Sequence, residues 1–192
     1  MAKEAVKKAA LELFRRYSYV KTTVADIAAA TGIGKGSVYL AFKSKDEILF
    51  SIIDDISEAM RKQHDPWFFD PSVNLDTKIE RISTIILDQL FQIRDLMFGS
   101  FENVEGRELQ DIYNKFSNSF DQLTDYLLQV VGLHGWPSSS ARLAAIREFV
   151  FSLLGRFVIH ILGNDWNDRE AIYKVMPGWA IPIFHSIVLR DS

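Results

Sequence analysis

The sequence predicts an all-α protein, and three observations carry that reading. Apolar residues recur at helical spacing along almost the whole chain. The ten glycines and five prolines fall mostly between those periodic stretches, and no alternating run bounded by turn signals reads as a strand. With 192 residues, 48% of them hydrophobic, there is enough apolar material for one large core or two small ones.

The elements follow in order. In residues 2–17, Val6, Ala9, Ala10, Leu13, Phe14 and Tyr17 keep an i, i+3, i+4, i+7 stripe, and Lys3, Lys7, Lys8 and Arg15 fall away from it. A second helix starts in "TTVAD", where Thr23 can cap and Asp26 can return the bond three residues on. Gly32 ends it, since glycine takes the left-handed conformation without a Cβ penalty. A short helix at about 35–41 follows. Ser44 and Glu47 then form a capping box that opens a long helix to about Gln63, and "HDPWFFDPS" breaks the pattern with two prolines. Beyond it, Ile79, Ile82, Ile86, Leu90, Ile93 and Met97 stripe a helix near 75–98, and Leu109, Ile112, Phe116, Phe120, Leu123 and Leu127 stripe another near 108–131. A helix at 139–163 is apolar around nearly its whole circumference. The last segment, 168–190, contains Pro177 and Pro182 and should either kink near 178–182 or restart there.

Composition excludes several classes of function. There is no cysteine, hence no disulfide scaffold, thiol nucleophile or Cys-based zinc site. His64, His134, His160 and His185 are scattered without metal-ligand spacing, and no glycine-rich loop follows a strand. Asp54, Asp55 and Glu58 read as a solvated helix face. The chain is therefore expected to be no enzyme and to need no cofactor or metal. "MAKEAVKKAALELF" has no apolar signal core, and the run "FVFSLLGRFVIHILG" is too short for a bilayer, which points to a cytoplasmic protein without a membrane partner.

Charge divides the chain. Residues 1–45 hold nine Lys and Arg against three acids, while the remainder holds thirteen against twenty-two. Such polarity suits a head that meets a polyanion and a body that does not. The head also contains "DIAAATGIGKGSVYLAF", two short helices joined by a glycine turn, which is a helix-turn-helix. Small residues such as Ala28 and Ala29 let the helices cross closely, and Ile27, Ile33 and Val38 fill the wedge beneath them. Lys35, Gly36, Ser37, Tyr39 and Leu40 are left outside, on the part of this motif that enters a major groove. Taken singly, Lys43 and Lys45 are ordinary helix-start charges and Tyr39 a half-buried core edge. In register with Thr23, Gly32 and Gly36 they mark a DNA-binding surface.

"TTVADIAAATGIGKGSVYLAFKSKDEIL" resembles the signature of TetR-family transcriptional regulators over about residues 5–55. The resemblance implies a three-helix DNA-binding head and a helical, ligand-binding, dimerising body. It places Thr23, Tyr39 and Lys45 on phosphates, and Lys35, Gly36 and Ser37 at the groove-facing start of the recognition helix. Gly34 stands where Ser or Arg is common, Ala41 where His or Tyr is common, and Ser18 and Tyr19 replace a Gly-aromatic pair. With Gly34 and Ala41, fewer side chains reach base edges, so shape and phosphate contacts count for more. The candidate DNA-facing set is Thr22, Thr23, Gly34, Lys35, Gly36, Ser37, Tyr39, Leu40, Lys43 and Lys45. The division expected is a head at 1–45 and an effector-binding and dimerisation body at 46–192, linked by the helix at about 44–63, with the break in pattern at Asp65–Ser72.

A ligand-responsive repressor, released from a palindromic operator by a small hydrophobic or amphipathic effector, fits this organisation. Candidate effector contacts are Phe91, Arg94, Phe98, Tyr113, Phe116, Phe120, Phe149, Arg156 and His160. Aromatic stripes at helical spacing also serve as plain core. Arg94 and Arg156 sit inside apolar helices, where each needs either an acidic partner on a neighbouring helix or a ligand's anionic group. The partners expected are double-stranded DNA with an inverted repeat, a small molecule, and a second copy held through about 139–163 and 168–190. The alternative is a helical small-molecule-binding or protein-interaction module without specific DNA binding.

Overall fold

A computed structural model describes residues 2–98, 122–130, 144–145, 148 and 169–188, and every regular element among them is α-helix. The elements are α1 (Ala2–Tyr17), α2 (Val24–Thr31), α3 (Lys35–Ala41), α4 (Lys45–Phe68) and α5 (Leu75–Phe98), then a helical stretch at 122–130 and a C-terminal helix, Arg169–Val188. The expectations for 108–131 and 139–163 lie largely outside the described residues. No described helix is long and apolar enough to cross a membrane.

Two compact units emerge. One runs up to Gln63 and adds the stretch starting at Phe91; the other takes His64–Leu90 and the described residues further on. Both α4 and α5 belong to the two units in turn. In the first unit, α1, α2 and α3 touch one another, and Val6, Ala10, Phe14, Ile27, Ala28 and Val38 are buried with Ile48, Leu49, Ile52 and Ile53 of α4. The stripe of α1 is narrower than its sequence suggests, for Tyr17 is exposed beneath the Arg16 guanidinium, 5.1 Å from its ring. Likewise only Ala28 of the alanine pair packs inward, and Ala29 faces solvent. The inward arc of this eight-residue helix is narrow and is filled by Ile27 and Ala28.

The long helix α4 corrects the reading of "HDPWFFDPS". It continues through Pro66 to Phe68, and the Phe69 N–H still donates to Asp65 O at 2.9 Å. A proline in the last turn forfeits one hydrogen bond, and the aromatic residues around it repay the loss by packing. Phe68 is fully buried in the second unit, edge-on to Trp67 at 5.2 Å and to Tyr126 at 6.3 Å. The Tyr126 hydroxyl donates to Asp65 at 2.7 Å, and the Arg81 guanidinium lies 4.5 Å over the Trp67 ring. Ile79, Ile82, Ile86, Leu87 and Leu90 of α5 complete that core with Leu127, Leu128 and Ile172. The C-terminal helix neither restarts nor stops at its prolines: Pro177 and Pro182 both lie inside one helix, each deleting a single main-chain bond.

Asp55 is more than a solvated acid of α4. It accepts from Lys7 of α1 at 2.6 Å, and this bond, with Glu4, raises the lysine pKa. Asp54 beside it is pushed up by burial and by the Asp55 charge. Among the described residues, Arg94 finds an acid on its own helix, 3.5 Å away at Asp95.

Candidate nucleic-acid interface

An eight-residue helix does not hold together alone, so the ends of α2 carry its definition. Thr23 is extended at φ −106°, ψ 162°. Its hydroxyl accepts from the Asp26 N–H at 3.2 Å, while the Asp26 carboxylate accepts from the Thr23 N–H at 2.8 Å and hydroxyl at 2.7 Å. Those bonds hold the Asp26 pKa below the usual carboxylate range. Gly32 closes the helix in the left-handed region at φ 69°, its N–H turned to Ala29 O. After one further residue the chain enters α3 through Gly34.

α3 is pinned by one side chain. Val38 is fully buried, and around it Lys35, Gly36, Ser37, Tyr39 and Leu40 face solvent, as does Gly34 before them. Tyr39 is 46% exposed and Leu40 90% exposed. The Lys35 ammonium sits 5.9 Å from the centroid of the Tyr39 ring. A Cβ added at Gly34 or Gly36 would meet nothing within 4 Å, and neither glycine needs positive φ. Nothing inside the head demands glycine at these positions.

The loop before α2 is held differently. Ser18 ends α1 in the left-handed region at φ 70°, the sole non-glycine residue to do so among those described. It is buried to 2% exposure, and its hydroxyl has no hydrogen-bond partner among the described residues. Tyr19 follows, its N–H donated to Leu96 O at 2.8 Å, and the Val20 N–H reaches Met97 O at 3.3 Å. Leu96 and Met97 lie in the last turn of α5. The Tyr19 hydroxyl donates to Asp46, and the Lys45 ammonium donates to Tyr19 O at 2.7 Å and Thr22 O at 2.8 Å, 4.1 Å from the Tyr19 ring centroid. Burial and the Asp46 carboxylate both push the Tyr19 pKa up.

This geometry sorts the expected DNA-facing residues. Thr23, Gly34, Lys35, Gly36, Ser37, Tyr39, Leu40 and Lys43 are exposed. Thr22 is buried and its hydroxyl donates to Ser18 O at 2.8 Å, while Lys45 is half-buried with its ammonium on the loop carbonyls. Those two side chains are turned to the architecture of the head. The Ser44 cap of α4 holds, its hydroxyl accepting from the Glu47 N–H at 3.1 Å, but the Glu47 carboxylate returns to the Lys43 N–H, one residue earlier than expected.

The sequence of the head and the course of its helices agree with known proteins. Residues 7–52 match the family model for bacterial regulatory proteins, tetR family. The likeness to the TetR family covers the head, about a quarter of the chain. Among curated relatives, it is 24% identical over 119 residues to the uncharacterized HTH-type transcriptional regulator YhgD of Bacillus subtilis (strain 168), covering 61% of this chain and 62% of that protein. It is 43% identical over 49 residues to the uncharacterized HTH-type transcriptional regulator YerO of the same organism, covering 26% of this chain and 17% of that one. The chain thus spans less than two thirds of the length of these relatives. A TetR transcriptional regulator from Rhodococcus sp. RHA1 shares the fold at a TM-score of 0.64 and 15% identity, over 100% of this chain and 98% of that one.

The expected effector contacts are placed only in part. Phe91 is buried, and Arg94 is partly exposed beside Asp95. The side chains of Phe98, Tyr113, Phe116, Phe120, Phe149, Arg156 and His160 lie outside the described residues. A groove of about 330 Å³ in the first unit is lined by Arg15, Ile56, Gln92, Asp95 and Leu96, none of them aromatic. Sequence reasoning did not single out the clamp of Tyr19, Asp46, Leu96 and Met97. Its one signal was the replacement of a usual glycine by Ser18.

Proposed function

We propose that this chain is a DNA-binding transcriptional regulator that grips an inverted-repeat operator as a homodimer and leaves it when a small hydrophobic or amphipathic molecule enters the helical body. The observation that carries the reading is α3, whose buried Val38 forces Lys35, Gly36, Ser37, Tyr39 and Leu40 outward on the basic head. Gly34 and Gly36 support it: with open space around them, their lack of a side chain serves a partner that comes close to the backbone. Thr23, Tyr39 and Lys43 are then the phosphate contacts, while Thr22 and Lys45 hold the loop that aims them.

The head corresponds to about residues 1–45 and the effector-binding and dimerising body to 46–192, with the second copy held through 139–163 and 168–190. Signal passes to the head along helices that belong to both compact units. α4 starts at the clamp with Lys45 and Asp46, and α5 ends in it with Leu96 and Met97. An effector moves the heads only to the extent that it binds one arrangement of these helices more tightly than the other.

The test is a gel shift with DNA flanking the protein's own gene over a range of salt. Two heads, each with about four to six phosphate contacts, give a log–log slope of about −7 to −11. With Lys45 engaged inside the protein, the shallow end of that range is expected. A retarded band that ignores salt, or no band from folded protein, would instead leave a helical small-molecule carrier.

A further inference from the structure

We propose that Leu40 reads a thymine methyl group on the floor of the major groove, so that each operator half-site carries a thymine at one defined position. The inference rests on the DNA-binding reading above and deepens it. Counting about 100° per residue from the buried Val38, Gly36 falls at about 160° and Leu40 at about 200°, so these two form the ridge that stands furthest from the protein. Lys35 and Tyr39 lie on one flank, joined as a cation over a ring, and Ser37 lies on the other. The flanks face the walls of a groove, where phosphates and sugars are, and the ridge faces its floor.

Leu40 has nothing on its own helix to lean on. Its neighbours one turn back are Gly36 and Ser37, which is why the side chain is 90% exposed. In free protein it stands in water on a basic surface, a poor place for an apolar group and a poor docking site for an apolar partner. Within a major groove only thymine offers an apolar feature, its C5 methyl. Set against cytosine, guanine or adenine at the same place, the isobutyl group strips water from donors and acceptors and returns no hydrogen bond. The occupant of this ridge is therefore duplex DNA with thymine beneath Leu40, and charge complementarity of the nine Lys and Arg in residues 1–45 brings the duplex there.

Replacing thymine by deoxyuridine removes that methyl and leaves base pairing intact. In a DNA fragment that the protein retards, each thymine of a half-site is replaced in turn, and binding of wild type and Leu40→Ala is measured at one salt concentration. Because Leu40 is exposed, the variant keeps the wild-type fold, checked by its melting curve. One position should weaken wild-type binding about fourfold, and about fifteenfold when its symmetry mate is replaced too, while Leu40→Ala binds the substituted and natural DNA alike. A flat scan in a protein that still binds DNA with strong salt dependence overturns the thymine reading and leaves the regulator reading standing. A methyl effect that persists in Leu40→Ala overturns it as well, by assigning the contact to another side chain. Failure to retard any DNA overturns both.

Discussion

Ser18→Gly should make the protein more stable, and the magnitude follows from two features of one residue. The serine sits at φ 70°, where a Cβ meets the following carbonyl, a conformation that costs an ordinary L-residue about 1–2 kcal/mol. Its hydroxyl is also buried without a partner among the described residues, and an unpaired buried hydroxyl costs about 1–3 kcal/mol. Against these gains stands the greater freedom of glycine in the unfolded chain, about 0.5–1 kcal/mol. Allowing also for the small void the oxygen leaves, the net gain is about 1–3 kcal/mol, or about 2–12 °C in Tm for a chain of this size. Ser18→Ala separates the contributions, because it removes the hydroxyl and keeps the strained Cβ; it should capture the hydroxyl part alone and fall short of Ser18→Gly. The assay is urea unfolding with a thermal melt, at one protein concentration for all three proteins so that any self-association would act on them equally. If Ser18→Gly melts below wild type with an unchanged urea slope, the hydroxyl has a partner or the backbone is not left-handed, and the reasoning fails.

The other expectations can be checked together. Gly36→Ala should raise stability by up to about 1 kcal/mol through helix propensity while weakening DNA retardation at least tenfold, a divergence that a purely structural glycine would not produce. Lys45→Met should cost about 1.5–3 kcal/mol in urea unfolding because it strips two carbonyls of a charged donor, whereas Lys43→Met at an exposed site should stay within about 0.5 kcal/mol of wild type. Asp26 has a folded pKa below its unfolded value of about 3.9, so its stabilising effect is fully present above that pH and fades as pH falls through the folded value. The stability gap between wild type and Asp26→Ala should accordingly be constant from neutral pH to about pH 5 and narrow in stronger acid, as followed by unfolding at a series of pH values.

Much of the head was legible because its determinants are local. A threonine cap, its aspartate three residues on and a left-handed glycine define α2 within ten residues, and all three behave as their chemistry requires. Val38 reads as buried and its neighbours as exposed because a seven-residue helix offers one inward position. The structure departs from the local reading where a side chain takes a partner that the pattern does not name. Lys45 reads as a phosphate-seeking cation until the carbonyls of Tyr19 and Thr22 arrive beside it, and Thr22 reads as exposed until its hydroxyl folds back on Ser18. Pro66 reads as a breaker until Phe68 and Tyr126 are seen to stabilise the turn that contains it.

By itself the sequence determined the helical class, the ends of α1, α2 and α3, the basic head and the outward-facing ridge of α3, because periodicity, caps and charge act over one or two turns. Tertiary structure alone decided which cations remain at the surface and that the carbonyls of Leu96 and Met97 take the N–H groups of the loop before α2. Those outcomes depend on hydrogen-bond partners that lie about 25 to 80 residues apart, and no local rule selects among donors and acceptors at such separations.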